Sequence, residues 1–320
     1  MTTPVSLTSS YGSVATFSDP SPGLKKFLHE STVVGERGVK PEGFWQMVRG
    51  FYAEATTEIS LVAKDKYIES SEETEIAGTA ALLVTPKSFA PLHENKVIVY
   101  IHGGAFVIGS AKHLYQVFAQ VAFETGLKTI AIDYPLAPEA PFPKGLDQCF
   151  AVYQELLKTY QPENIVFLGD SAGGNLCIAT ALKAKMEGIQ VPGALALFSP
   201  VTSAYKGESY DKNKDPRITY EETIEPAFAD YTQEKDHPLF TILNADLSGL
   251  PPLFTQTGTR DALESDSLCL VSEITRVGGS ATCVSLSEVP HGIVEQSENI
   301  PEGNVARNLA AQFIKERLGI

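Results

Sequence analysis

The chain has 320 residues, enough to bury a large core, and α/β folds of this length are often one domain. Its formal net charge of −14 argues against a nucleic-acid partner, which calls for a basic patch. No apolar run approaches the roughly 18 residues of a membrane span.

In chain order, the N-terminus Met1-Thr2-Thr3-Pro4-Val5-Ser6-Leu7 is polar and lacks the basic and apolar regions of a signal peptide. Residues 1 to about 50 precede any strand pattern. Two stretches, about Glu58 to Ile68 and Glu75 to Val84, read as an antiparallel start to a sheet. Lys96–Ile101 is the next predicted strand, followed by His102-Gly103-Gly104-Ala105-Phe106, whose small residues allow backbone N–H groups to turn toward a substrate oxygen. Lys128–Asp133 is another strand. Asn164–Leu168, apolar and partly β-branched, runs into Gly169-Asp170-Ser171-Ala172-Gly173, and Asn175 to Met186, rich in Ala, Leu and Lys, reads as a helix.

G-x-S-x-G alone is weak, because it arises by chance in Gly- and Ser-rich loops. Between a strand and a helix it has the context of a nucleophile elbow. The serine sits on a sharp turn, and the glycines remove Cβ atoms where strand and helix meet. The helix N-terminus favours developing negative charge.

After the predicted strand Ala194–Phe198 comes an insertion, about Val201 to Leu243, too long for a bare loop in a compact domain and read as a structured lid. Leu253–Thr257 is a strand with Asp261 just past its end. Asp266 is a competing acid, but it falls in the first turn of the next helix, where it complements the helix dipole. Ala281–Leu286 is the last strand and leads to Glu288-Val289-Pro290-His291-Gly292. Singly, Asp261 reads as a turn former and His291 as a solvated loop residue. Ser171, Asp261 and His291 in that order, each at a strand end, form the Ser–acid–His sequence of an α/β hydrolase. The alternation of strands and helices predicts a mostly parallel sheet with helices on both faces. Cys149, Cys177, Cys269 and Cys283 have no C-x-x-C spacing and fit reduced thiols in a cytoplasmic protein better than a disulfide framework.

On these residues the chain resembles the hormone-sensitive-lipase-like family of carboxylesterases, in the branch carrying Gly-Asp-Ser-Ala-Gly-Gly. The resemblance runs from about residue 95 to the C-terminus. It rests on His102-Gly103-Gly104, Asp133-Tyr134-Pro135-Leu136-Ala137-Pro138-Glu139 with Pro141-Phe142-Pro143, and Gly169 to Asn175. Further on it takes in Ala245-Asp246-Leu247-Ser248-Gly249-Leu250-Pro251-Pro252, Asp261-Ala262-Leu263 and His291-Gly292. Ala105 stands where the family has a third Gly, and Ala262 where it has Pro; an alanine serves at 105 if its φ is negative.

The resemblance implies an α/β-hydrolase fold in one domain over residues 1–320, with a helical cap formed by about 1–50 and 201–243. It makes Phe44, Trp45, Phe51 and Tyr52 candidates to line the pocket. It implies a catalytic Ser171, Asp261 and His291, an oxyanion hole from the amides of Gly103, Gly104 and Ala172, and a His102 that shapes the oxyanion loop instead of acting as a base. No metal or organic cofactor is called for. The expected partner is a small-molecule ester, with short to medium acyl chains, and a homodimer through the last strand, near Ala281–Leu286. The same constellation supports amidase, carbamate or lactone hydrolysis, or lipase action on longer chains. A non-enzymatic small-molecule receptor on this fold would lack the triad histidine, and His291 is present.

Overall fold

The computed structural model describes residues 14–17, 21–22 and 43–320. Among the described residues nine strands form one sheet: β1 (Val14–Phe17), β2 (Ile68–Ile76), β3 (Thr79–Pro86), β4 (Val97–Ile101), β5 (Lys128–Asp133), β6 (Ile165–Asp170), β7 (Ala194–Phe198), β8 (Leu253–Gly258) and β9 (Ala281–Leu286). Their order is β1-β9-β8-β7-β6-β4-β5-β3-β2. β2 is antiparallel to β3 and β3 to β5, and every other neighbouring pair is parallel. The predicted strands from Lys96 onward appear at these places, several to the residue.

The central parallel strands β4 and β7 read as unbroken apolar runs because both faces are covered. Along β4, Val97, Val99 and Ile101 join the core on one face, and Ile98 and Tyr100 join the core on the other. Helices α3 (Lys144–Leu156), α4 (Ser171–Met186) and α7 (Glu264–Arg276) contribute to the first core. Helices α1 (Phe44–Tyr67), α2 (Tyr115–Thr125) and α8 (Pro301–Leu318) contribute to the second. Two short helices, α5 (Glu208–Asn213) and α6 (Glu225–Tyr231), lie in the segment between β7 and β8.

Three expectations need correction. Glu58 to Tyr67 is not a strand but the second half of α1. Its buried residues Thr56, Ser60, Ala63 and Tyr67 recur at helical spacing, while Leu61 and Val62 face solvent. The stretch Glu75 to Val84 is broken by a turn at Ala77-Gly78, both with positive φ, as a tight hairpin between β2 and β3 requires. Finally, Val14–Phe17, expected within the cap, is a strand of the sheet and pairs in parallel with β9. The rest of 1–42, apart from residues 21–22, lies outside the described residues.

Candidate active site

Ser171 opens α4 directly after β6, with φ at 52°. This left-handed serine is the sharp strand-to-helix turn that aims Oγ away from the sheet. The turn closes only because residue 173 is glycine: a Cβ there would lie 2.0 Å from the Ile101 carbonyl oxygen. Asp261 follows β8 and His291 follows β9, so all three groups meet at the carboxyl ends of parallel strands.

The sheet brings them into one chain of contacts. His291 Nε2 lies 3.0 Å from Ser171 Oγ, and His291 Nδ1 lies 3.1 Å from Asp261 Oδ1. Asp261 is fully buried. Its Oδ1 also accepts the Leu263 N–H at 2.7 Å, and its Oδ2 accepts the hydroxyls of Ser199 and Thr257. Burial pushes the His291 imidazole toward its neutral form, but Asp261, through charge and hydrogen bond, together with Asp215 and Glu295, outweighs this and raises its pKa to about 9. Asp266 stands apart: buried in the first turn of α7, it accepts the Thr202 and Ser203 N–H groups at 2.8 and 3.2 Å.

Gly104 and Ala105 line a cavity with Ser171, and among the described residues neither N–H has an acceptor. Ala172 is the second residue of α4, where no preceding turn supplies a carbonyl. Gly103 behaves differently from expectation. Its N–H donates to Asp170 Oδ1 at 3.1 Å, an acceptor it shares with the Tyr100 hydroxyl at 2.7 Å. The missing Cβ is what admits that carboxylate, since a Cβ at 103 would sit 2.2 Å from Asp170 Oδ2. The Gly103 amide is therefore committed to Asp170. Ala105 also departs from expectation: its φ is +51°, in the left-handed region. His102 is buried, stacks on Tyr134 and contacts the Gly103 carbonyl oxygen through Nδ1 at 2.7 Å.

The cavity measures about 390 Å³ and reaches Ser171 and His291 at its floor. Phe44, Trp45, Phe51 and Tyr52 of α1 line it, as do Ile218, Ile224 and Ala227 from the segment between β7 and β8. Trp45 Nε1 donates to Asp230 Oδ2 across the two walls. Sequence reasoning passed over several groups around it. Asp215, Arg217 and Glu295 surround the His291 backbone, and Ser199 supports Asp261. Asp215 precedes a proline, which reads as an ordinary turn. Among the described residues no group of His, Cys, Asp and Glu is arranged to hold a metal ion.

A doubly covered parallel sheet that sets a strained serine, a histidine and a buried aspartate at its strand ends defines the α/β-hydrolase class. Residues 98–295 match a family model described as an alpha/beta hydrolase fold, and the chain belongs to that family. It is 36% identical over 180 residues to an esterase of Acinetobacter venetianus, a match that covers 54% of this chain and 59% of that protein. It is 32% identical over 230 residues to carboxylesterase NlhH of Mycobacterium tuberculosis, covering 67% of this chain and 72% of the relative. A solved esterase from the bacterial hormone-sensitive lipase (HSL) family superposes with a TM-score of 0.75 at 28% identity, covering 88% of this chain and all of that one. The resemblance carried by the sequence motifs is borne out.

Proposed function

We propose that the protein is a serine carboxylesterase that hydrolyses short- to medium-chain acyl esters through an acyl-enzyme. The observation that carries this reading is the Ser171–His291–Asp261 contact chain, 3.0 and 3.1 Å, at the floor of an apolar cavity. His291 takes the Ser171 proton as Oγ attacks the ester carbonyl. Asp261 holds the ring with Nδ1–H toward itself and stabilises the imidazolium. The amides of Gly104 and Ala172, joined in place of Gly103 by Ala105, whose N–H has no acceptor among the described residues and serves in spite of its positive φ, stabilise the oxyanion, each donor worth about 10²–10³ in rate. His291 then protonates the departing alcohol. Water, deprotonated by the same histidine, attacks the acyl-enzyme and releases the acid.

The named relatives are an esterase and a carboxylesterase, and the reading carries that activity to this chain. One α/β-hydrolase domain spans residues 1–320, and its cap comprises the first half of α1 and the segment 201–243. Four free cysteines, three of them buried, suit a cytoplasmic enzyme, and no described helix is long and apolar enough to cross a membrane.

The test is hydrolysis of p-nitrophenyl esters from acetate to palmitate by wild type and Ser171→Ala. Turnover is expected to peak at short to medium chains and to fall on the order of 10⁶-fold in the variant. A Ser171→Ala protein with wild-type turnover overturns the scheme. No turnover at any chain length overturns the ester reading and moves the search to amides, carbamates and lactones.

A further inference from the structure

The backbone of His291 is gripped from both sides by one turn of the cap. Asp215 Oδ2 accepts the His291 N–H at 2.8 Å and also the N–H of Ala262, the residue after Asp261, at 3.1 Å. Arg217 Nη1 donates to the His291 carbonyl at 2.8 Å and to the Gly292 carbonyl at 2.9 Å, and Nη2 donates to Glu295 Oε2 at 3.2 Å. One carboxylate oxygen thus ties together the loops that carry Asp261 and His291.

A plain turn-forming role accounts for only half of this. Asp215 Oδ1 accepts the N–H groups of Arg217 and Ile218 at 2.8 and 3.3 Å, as an aspartate before proline does in a turn. Oδ2 instead reaches donors 47 and 76 residues further along the chain. Burial, followed by the charge of Asp261, raises the Asp215 carboxyl above the ordinary aspartate value, while the charge of His291 and the N–H donors of Arg217 and His291 pull it back toward the ionised form.

We propose that Asp215 and Arg217 are positioning residues of the hydrolytic reaction: they fix the His291 loop against the Asp261 loop, and Asp215 adds a second negative charge that stabilises the imidazolium. The inference rests on the reading of Ser171, His291 and Asp261 as the catalytic set. The imidazolium forms in both acylation and deacylation, so the pair acts on both steps. Other charged or titratable groups face His291 from each surrounding element: Asp261 after β8, Asp170 at the end of β6, Glu295 on its own loop and, through Glu295, Tyr52 on α1. Asp215 and Arg217 are the members of this set supplied by the segment between β7 and β8, and they carry opposite signs.

That difference in sign gives the test. Asp215→Asn keeps an acceptor oxygen and loses the charge; Arg217→Gln loses the positive charge beside the same loop. Each is expected to lower kcat about 10- to 100-fold with KM within about threefold, as misplacement of a reacting group does. The midpoint of the kcat/KM–pH profile is expected to fall by about one unit in Asp215→Asn and to rise in Arg217→Gln. The titration of the His291 Nδ1–H proton resonance, followed by NMR, reads the same midpoint without requiring turnover, and either variant alone suffices if the other does not fold. Lost kcat with an unmoved midpoint means a structural role only and overturns the inference, as do midpoints that move in the same direction. Ser171→Ala with full activity brings down the catalytic set itself. An inactive Ser171→Ala beside an unaltered Asp215→Asn brings down only the present proposal.

Discussion

Ala105 occupies a position that suits glycine better. With φ at +51° its Cβ crowds the backbone, and a non-glycine residue in that region costs on the order of 1 kcal/mol. The next residue, Phe106, has φ at +67° and tolerates it for a visible reason: its ring is fully buried and stacks on Tyr231 at 3.9 Å. Burying a phenylalanine contributes about 1.5–3 kcal/mol, more than the backbone strain removes. Ala105, partly buried, has only a methyl to pack against the core and far less compensation. Ala105→Gly is therefore expected to raise the stability of the protein by about 0.5–1 kcal/mol, read as a higher urea midpoint at unchanged slope. A lower midpoint would mean that the alanine methyl packs against the cavity wall strongly enough to offset the strain.

Helix α1 joins two jobs in one element. Its second half packs Ser60, Ala63 and Tyr67 onto the sheet side, and its first half walls the cavity. Arg49 is the link between them and the oxyanion loop. Its Nε donates to the Val107 carbonyl and Nη2 to the Ala137 carbonyl, both at 2.7 Å, and it pairs with Glu139 at 2.7 Å. The ion pair is half-exposed and adds little, but each bond from a charged donor to a carbonyl contributes up to about 2 kcal/mol. Arg49→Ala is expected to raise KM for esters by up to about tenfold while kcat changes less than threefold, because the wall loosens and the reacting groups stay in place. A fall in kcat alone would show that Arg49 acts on the oxyanion loop instead. The same element shows where sequence reading stops. The central strands were legible because both faces of the sheet are covered, which leaves unbroken apolar runs. The buried side of α1 is Thr56, Ser60 and Ala63, small or polar residues with Tyr67 the one large apolar group, and the apolar Leu61 and Val62 point outward. Ser171, Asp261 and His291 stood out as candidates because chemistry sets their residue types and the hydrolase fold sets their order along the chain. Asp215 was not, because its partners are backbone N–H groups distant in sequence, and a backbone donor has no residue type to recognise. The bond from the Gly103 amide to Asp170 was hidden for the same reason: nothing in the motif tells which N–H that carboxylate will claim.

At the scale of the whole molecule, stability and activity are expected to respond to pH in opposite directions. Burial, followed by the charge of Glu295, raises the Asp170 carboxyl to about 7, and burial raises Asp266 to about 6. Both bind a proton more tightly folded than unfolded, so their contributions are complete below the ordinary aspartate value of about 3.9 and are lost as pH rises through 6 and 7. His291, raised to about 9, contributes stability that is complete below its unfolded value near 6.5 and is lost as pH rises through 9. The net charge of −14 adds self-repulsion that grows over the same range. On the acid side, Glu139 is held low by its bond to Arg49, so its contribution is lost as pH falls through its folded value. Stability is thus expected to peak near pH 5 and to decline toward pH 9, with a fall in Tm on the order of 5 °C that scanning fluorimetry reads directly. On the proposed mechanism hydrolysis needs neutral His291, so kcat/KM is expected to rise over that interval, with a midpoint above the ordinary histidine value. A Tm that stays level or climbs from pH 5 to 9 would mean that Asp170 and Asp266 are ionised throughout, their charges held by the Tyr100, Gly103 and Thr202 donors against the cost of burial.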